Sequence, residues 1–173
     1  MNPNMRMEVT FGTFGHPLYR LNDSVQRLEE ENVQLKEGLN ELFRMAKAIG
    51  RNENMQNWSG TLRYLAVMAG VFRSDMEAHV KWEAETMFPM IAWYVGDELE
   101  HFTLMEQEYE LANQFIQAFL DAVKETHNRP VLRKEAVEMA SYLIEACEIL
   151  VQHFLKEEDL IYALGDRTNE YGY

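Results

Sequence analysis

Apolar side chains that recur every three or four residues dominate four long segments of this sequence. In the first segment they are Leu18, Leu21, Val25, Leu28, Leu35, Leu39, Leu42, Ala46 and Ile49, interrupted only by the polar Asn32. This spacing places them on one face of an α-helix. Gly and Pro break the chain at GRNENMQNWSG (residues 50–60), at Gly96, at HNRP (residues 127–130) and at Gly165. The sequence therefore predicts helices over roughly residues 17–49, 58–95, 97–127 and 131–164.

These four helices define the expected fold class. A chain of 173 residues can bury one well-packed core and is short for two. Long helices joined by short connections predict an all-α, antiparallel up-down-up-down four-helix bundle. We expect an N-terminal tail over residues 1–15, the bundle over residues 16–165, and a C-terminal tail over residues 166–173.

The composition excludes several classes of function. A net charge of -13 and an isoelectric point near 4.8 argue against nucleic acid, whose phosphates the acidic side chains would repel. The sequence has no apolar run of about 18 residues, so no membrane partner is expected. The N-terminus MNPNMRMEVTFGTFG lacks the build of a signal peptide, which predicts a cytoplasmic location.

The single cysteine, Cys147, excludes an internal disulfide and is expected to be buried as a small apolar side chain.

Two His–Glu pairs with a spacing of four residues interrupt the apolar faces of the second and fourth helices. His79 and Glu83 lie in HVKWEAE, and His153 and Glu157 lie in HFLKE. This spacing puts both members of a pair on the same side of a helix. In an antiparallel bundle the ends of the second and fourth helices meet, so the two pairs should converge. Buried imidazoles and carboxylates are costly unless something satisfies all of them.

Other polar residues lie near the same end. His16 opens the first helix, and His101 lies one turn into the third. The inward face of the third helix is predicted to contain His101, Leu104, Glu108, Leu111 and Phe115. Glu108 is expected to orient a neighbouring imidazole rather than bind a metal.

Two further polar groups are expected to have no role in a site. The acidic run EEEN, residues 29–32, is expected to be a solvated helix face. His127 closes the third helix at the opposite end, where it should act as a last-turn cation.

A buried hydrogen-bonded network explains either pair alone, whereas a transition-metal site explains the whole set. Imidazole nitrogen and carboxylate oxygen suit iron, manganese or zinc, and six ligands are too many for one tetrahedral ion. Two ions, each with terminal histidines and with two bridging glutamates, fit better than one mononuclear centre with spare ligands. The predicted metal ligands are His16, His79, Glu83, His101, His153 and Glu157.

These motifs resemble the hemerythrin-like, or HHE cation-binding, family. The resemblance covers the chain after about residue 14 and rests on His16, HVKWEAETMFP with His79 and Glu83, DELEHF with His101, and HFLKEEDLIYAL with His153 and Glu157. It implies a non-haem di-iron centre in a four-helix bundle. It also implies an oxo or hydroxo bridge and an open coordination position for O2, NO or peroxide.

The sequence departs from the oxygen-carrying members of that family. Those members have two histidines one turn apart on the third helix, and here Asp97 and Met105 flank His101 at that spacing. Their fourth-helix carboxylate is an Asp five residues after the histidine, whereas Glu157 follows four residues after its histidine. The pattern is closer to members implicated in iron or oxygen sensing and in repair of iron-sulfur clusters. Reversible oxygen storage is therefore not expected.

Three functions follow as hypotheses. The leading one is a di-iron protein that binds or senses O2, NO or peroxide, in which Asp97, Glu108 and Glu158 supply protons or fill the open position. The second is an iron-sulfur cluster repair or iron-donor protein. The third is a helical interaction module with a structural or zinc site. The sequence decides neither enzymatic activity nor a protein partner.

Overall fold

The computed structural model describes the backbone of residues 17–95 and 99–170. Within these ranges the chain is helical and contains no strand, which confirms the all-α prediction. The elements are α1 (Pro17–Ala48), α2 (Ser59–Trp82), a π-helical segment (Glu83–Met87), α3 (Phe88–Val95), α4 (Leu99–Glu125) and α5 (Arg133–Glu170). α5 continues past Gly165, because one glycine costs a helix only about 1 kcal/mol. The predicted limits of the bundle remain predictions.

The helices form the predicted up-down-up-down bundle. α1 and α4 each pack against both α2 and α5. Asn57 closes the end of the bundle where α2 and α5 begin, because its Oδ1 accepts hydrogen bonds from the backbone N–H groups of Ser59 (3.0 Å) and Val131 (3.2 Å). No helix in the described ranges is long and apolar enough to cross a membrane.

The apolar core of the described residues falls into a large cluster and a small one. The large cluster fills most of the bundle and includes Cys147, which is buried as expected. The small cluster, which we call the cap cluster, consists of Leu21, Leu28, Met87, Phe88, Ile91, Phe102, Met105, Leu160 and Leu164. Buried polar residues lie between the two clusters along α1, α2 and α5, namely Asn32, His79, Glu83, His153 and Glu157.

The predicted inward face of the third helix is wrong by one position. In α4 the buried side chains are Phe102, Met105, Ala112, Ile116, Phe119 and Val123. Leu104 and Leu111 are 55% and 46% exposed, and His101 is also exposed. The observed face buries larger apolar side chains, and the Phe102 ring stacks on Phe88 with centroids 4.3 Å apart. Apolar packing therefore sets the rotation of α4.

A π-helical turn separates α2 from α3. The Phe88 N–H donates to the carbonyl oxygen of Glu83, five residues earlier. The wider turn adds one residue and relieves the clash that Pro89 would otherwise make with the preceding turn. Pro89 was the available sequence signal for this feature. The turn starts at Glu83, so a change in helix geometry adjoins the buried polar residues.

Candidate metal centre

Two parts of the chain, α2 with the π-helical turn that follows it and α5, each carry one His–Glu pair into the interior at the same level of the bundle. His79 and Glu83 are 3% and 1% exposed, and His153 and Glu157 are 1% and 0% exposed. The helical spacing of four residues stacks each imidazole beside its own carboxylate. The prediction that these four side chains point inward is confirmed.

The two pairs converge. His79 Nε2 lies 3.1 Å from Glu83 Oε1 and 3.7 Å from Glu157 Oε1, so it contacts carboxylates from both helices. His153 Nε2 lies 2.8 Å from Glu157 Oε1. One ligand atom each from His79, Glu83 and Glu157 lie within 4.8 Å of one another. Glu157 therefore links the two imidazoles.

These close contacts are not aligned as hydrogen bonds. In the described part of the chain, Nε2 of both imidazoles and both carboxylate oxygens of Glu83 and Glu157 are buried without a hydrogen-bond partner. A buried polar atom left in this state costs about 1–3 kcal/mol. A cation placed among these atoms would accept their lone pairs together. The donor set of imidazole nitrogen and carboxylate oxygen fits a transition metal such as iron, manganese or zinc.

The ionisation of the four groups follows from this crowding. Burial opposes a charged imidazole, but the carboxylates of Glu157 and Glu83 outweigh it and raise the pKa of His79 to about 11. Burial likewise opposes a charge on His153, and Glu157 raises its pKa. Although burial works against it, the pKa of Glu157 falls well below its usual range because of His153 and His79. Protons therefore offset the negative charge of the site, and a bound metal would displace them.

α1 adds a residue that the sequence interpretation missed. Glu31 Oε2 lies 2.7 Å from His79 Nδ1, on the opposite side of the ring from Glu83. The expectation that EEEN is only a solvated face is therefore wrong for Glu31 and for the buried Asn32, whereas Glu29 and Glu30 are exposed. The available signal was its position next to Asn32, the polar break in the apolar stripe of α1.

The other predicted histidines do not join this group in the described structure. His101 lies on the solvent side of α4, because the face that turns inward carries Phe102 and Met105 instead. His16 lies outside the described residues. His127 is exposed just beyond the end of α4, at the other end of the bundle, as predicted.

The carboxylates expected to serve the site are paired with lysines. Glu108, which was expected to orient an imidazole, forms an ion pair with Lys156. Glu158 forms an ion pair with Lys36 across α1 and α5, and both side chains are substantially exposed. Asp97 lies outside the described residues. Glu108 and Glu158 are therefore each paired with a lysine and not with the buried His–Glu pairs, which differs from the sequence prediction.

Comparison with known proteins agrees with this geometry. No curated protein and no solved structure matches the chain. The family model of the hemerythrin HHE cation binding domain matches residues 23–165, a range that contains both His–Glu pairs. Together with the buried His/Glu cluster, this match indicates a cation-binding protein. The chain belongs to the hemerythrin HHE cation-binding domain family.

Proposed function

We propose that this chain is a non-haem di-iron protein that binds or senses O2, NO or peroxide, in a response to oxidative or nitrosative stress. The observation that carries the proposal is the convergence of two buried His–Glu pairs whose facing ligand atoms lack hydrogen-bond partners among the described residues. Four residues would hold the ions, namely His79, Glu83, His153 and Glu157. His16 is a further ligand on the sequence evidence alone. When bound, iron supplies redox chemistry and a coordination position for a small ligand.

Each side chain has a distinct task in this proposal. His79 and His153 present Nε2 as terminal nitrogen ligands, and Glu157 lies within 4 Å of both. Glu83 and Glu157 each offer two oxygens that have no hydrogen-bond partner in the described part of the chain, and these carboxylates would suit bridging positions between two ions. The four side chains are 0–3% exposed, so the protein itself limits their contact with bulk water. The chain therefore supplies ligands, negative charge and a dry environment.

The position of Met105 supports sensing rather than reversible oxygen carriage. Met105, which stands one turn after His101, is fully buried in the cap cluster and contributes a thioether in place of an imidazole. Fewer imidazoles leave a coordination position that the protein does not fill. We expect O2 to convert the reduced protein to its oxidised form within a few exposures.

The metal content of freshly purified and iron-reconstituted protein tests the proposal. We expect about two iron ions per chain, because two bridging carboxylates and separate terminal imidazoles can serve a dinuclear site. His79→Ala and His153→Ala should each lower the metal content and the near-ultraviolet absorption of the iron protein. His127→Ala is the matched control, because this exposed imidazole lies at the far end of the bundle. Saturation at one ion per chain would contradict the dinuclear centre, and a colourless zinc protein would contradict iron.

A second experiment tests the small-ligand function. Reduced protein is cycled between aerated and oxygen-free buffer without added reductant, and its absorption spectrum is recorded at each step. Parallel samples receive NO or hydrogen peroxide. Progressive loss of the reduced spectrum is the expected result. Full recovery over many cycles would instead establish reversible oxygen carriage.

A further inference from the structure

A chain of three polar side chains runs from the surface of α1 to the buried imidazole of His79. Arg27 Nε lies 2.6 Å from Glu31 Oε1, and Glu31 Oε2 lies 2.7 Å from His79 Nδ1. The two oxygens of Glu31 are therefore engaged by different partners. The side chain of Glu31 is 30% exposed, whereas the side chain of His79 is only 2% exposed, so the contact spans the boundary between solvent and core.

The contact with Glu31 selects one tautomer of a neutral His79. A carboxylate only accepts hydrogen bonds, so the proton must sit on Nδ1 for the ring to donate to Glu31. The lone pair then lies on Nε2, the atom that faces Glu83 and Glu157. Partners of this kind also fix the orientation of a metal-bound imidazole and raise its basicity.

Arg27 connects the carboxylate of Glu31 to the neighbouring helix α2. It bonds Glu31, which lies one turn further along α1, and its guanidinium carbon lies 4.2 Å from the centroid of the Trp82 ring on α2. Trp82 directly precedes Glu83 in the chain. An exposed ion pair contributes little stability by itself, so the value of this pair lies in its geometry. The stack on Trp82 ties that geometry to the helix that carries the ligands.

We propose that Glu31 is a positioning residue of the metal centre, which holds His79 as the tautomer that presents Nε2 to the ion, and that Arg27 holds Glu31 against α2. This inference rests on the proposed metal-binding function. It assigns α1 a role at the site although neither Arg27 nor Glu31 is among the proposed ligands.

The contact with Glu31 orients only one of the two buried imidazoles, that of His79. His153 Nδ1 has no hydrogen-bond partner among the described residues, so nothing comparable fixes the ring on α5. Disrupting Glu31 should therefore weaken the ion bound by His79 more than the ion bound by His153. A merely structural role for Glu31 would not separate the two ions.

Metal titration of the full chain provides the test. Zn2+ is titrated into metal-free protein against a chromophoric chelator, for wild type, Glu31→Ala, Glu31→Gln and Arg27→Ala. Loss of a partner behind a metal ligand lowers metal affinity by about 10–100-fold, and we expect a loss in that range for one ion in Glu31→Ala. Glu31→Gln keeps an accepting oxygen and should lose less. Arg27→Ala should also lose less, because Glu31 remains.

The matched control is Glu30→Ala. Glu30 is an exposed neighbour on α1 that accepts a hydrogen bond only from Gln26 in the described structure (2.9 Å). Its replacement should leave both affinities within about twofold of wild type. Nitrogen-15 NMR of the zinc-loaded protein adds a direct readout, in which Nδ1 of His79 is protonated and slow to exchange in wild type and in Glu31→Gln. This signal should be lost to solvent exchange in Glu31→Ala.

The metal titrations distinguish failure of the proposed metal-binding function from failure of the positioning role of Glu31. If wild type binds no metal, the proposed function fails. If wild type binds metal and both Glu31 variants bind it equally well, the positioning role is wrong and the metal site stands. Equal weakening of both ions, or the same loss in Glu30→Ala, would also overturn it. Should Glu31→Ala fail to fold, Glu31→Gln and Arg27→Ala decide the question.

Discussion

Glu83 and Glu157 are both buried carboxylates, but their surroundings drive their proton affinities in opposite directions. Burial, reinforced by Glu157, raises the pKa of Glu83 from 4.5 to about 8. Glu157 contacts two imidazoles, and these lower its pKa in spite of its burial. Without a metal, therefore, Glu157 holds the negative charge of the site near neutral pH and Glu83 holds a proton.

This asymmetry predicts how the stability of the metal-free protein depends on pH. Because the pKa of Glu83 is raised, its contribution is fully present below pH 4.5 and is lost as the pH rises towards about 8. The raised pKa of His79 acts in the same direction between 6.5 and about 11. Urea unfolding in the presence of a chelator should therefore give a free energy of unfolding that falls steadily from about pH 5 to pH 9.

Glutamine variants separate the two carboxylates. Glu83→Gln should flatten the lower part of this pH profile and cost little stability at pH 7, since the carboxyl it replaces is protonated there. Glu157→Gln should cost about 3–5 kcal/mol, because it leaves the imidazolium groups of His79 and His153 without their main partner. The same urea titrations measure both effects. If both variants lost the same free energy of unfolding at pH 7, the negative charge would be shared equally between Glu83 and Glu157, which would contradict this assignment.

At the scale of single residues, the sequence predicted side chains whose position depends on one helix only. The spacing of four residues was sufficient to place His79 beside Glu83 and His153 beside Glu157, and their burial followed from the apolar stripes. Glu31 could not be predicted in the same way. It lies at the edge of its stripe, and its contact with His79 depends on how closely α1 and α2 pack, which periodicity does not specify.

At the scale of the elements, α4 illustrates a choice between two faces. The stripe that contains His101 and the stripe that contains Phe102 differ by one position, or about 100° of rotation. The histidine favoured the first stripe because it matched a metal-site motif. The protein adopts the second stripe because Phe102, Met105, Ile116 and Phe119 bury far more apolar surface. The free energy gained by burying a full apolar face is larger than that gained by turning a single histidine inward.

Neighbouring alanine variants test the rotation of α4. His101→Ala should leave both stability and metal content unchanged, because the side chain is exposed. Phe102→Ala should lower the free energy of unfolding by about 3–5 kcal/mol, since it removes a buried ring from the cap cluster. Metal analysis and thermal unfolding of the two proteins are sufficient. Loss of metal in His101→Ala would restore the rotation that the sequence motif favours.

Two glycines should respond in opposite ways to the same substitution. Gly50 lies two residues after the end of α1 and has a φ of +83°, and a Cβ there would lie 2.4 Å from Val137 Cγ2. Gly50→Ala should therefore destabilise the protein by about 1–3 kcal/mol. Gly70 lies inside α2, and apart from the nearby backbone of its own helix no atom of the described residues lies within 4 Å of its Cβ position, so Gly70→Ala should stabilise the protein by about 0.5–1 kcal/mol. Thermal melts check both signs, and similar metal contents would confirm that the glycines act through the backbone.

At the scale of the whole molecule, the buried polar residues divide the interior into two unequal parts. The large cluster on one side includes Leu62, Phe119 and Leu143 and contains most of the buried apolar side chains of the described residues. The cap cluster on the other side is small, and the polar layer separates it from the main core. The turns of α1, α2 and α5 that carry the polar layer connect the two clusters, so we expect the smaller cap cluster to be the less stable of the two.

Metal removal should therefore loosen one end of the bundle before the rest. A ligand bound only by the folded state stabilises it by about 4 kcal/mol at a thousand times its dissociation constant. In the proposed site, the same ions would bind both His79 and Glu83, at the end of α2 and the start of the π-helical turn, and His153 and Glu157 on α5. The stabilisation from the metal would therefore act where these parts of the chain meet. Hydrogen exchange followed by mass spectrometry, on metal-loaded and chelator-treated protein, should show faster exchange around these pairs and in the cap cluster. Backbone amides at the far end, such as Trp58, whose N–H donates to Val131 O at 2.9 Å, should keep their protection. Uniform acceleration along all helices would instead mean that the metal stabilises the bundle as one cooperative unit, with no separate behaviour of the cap cluster.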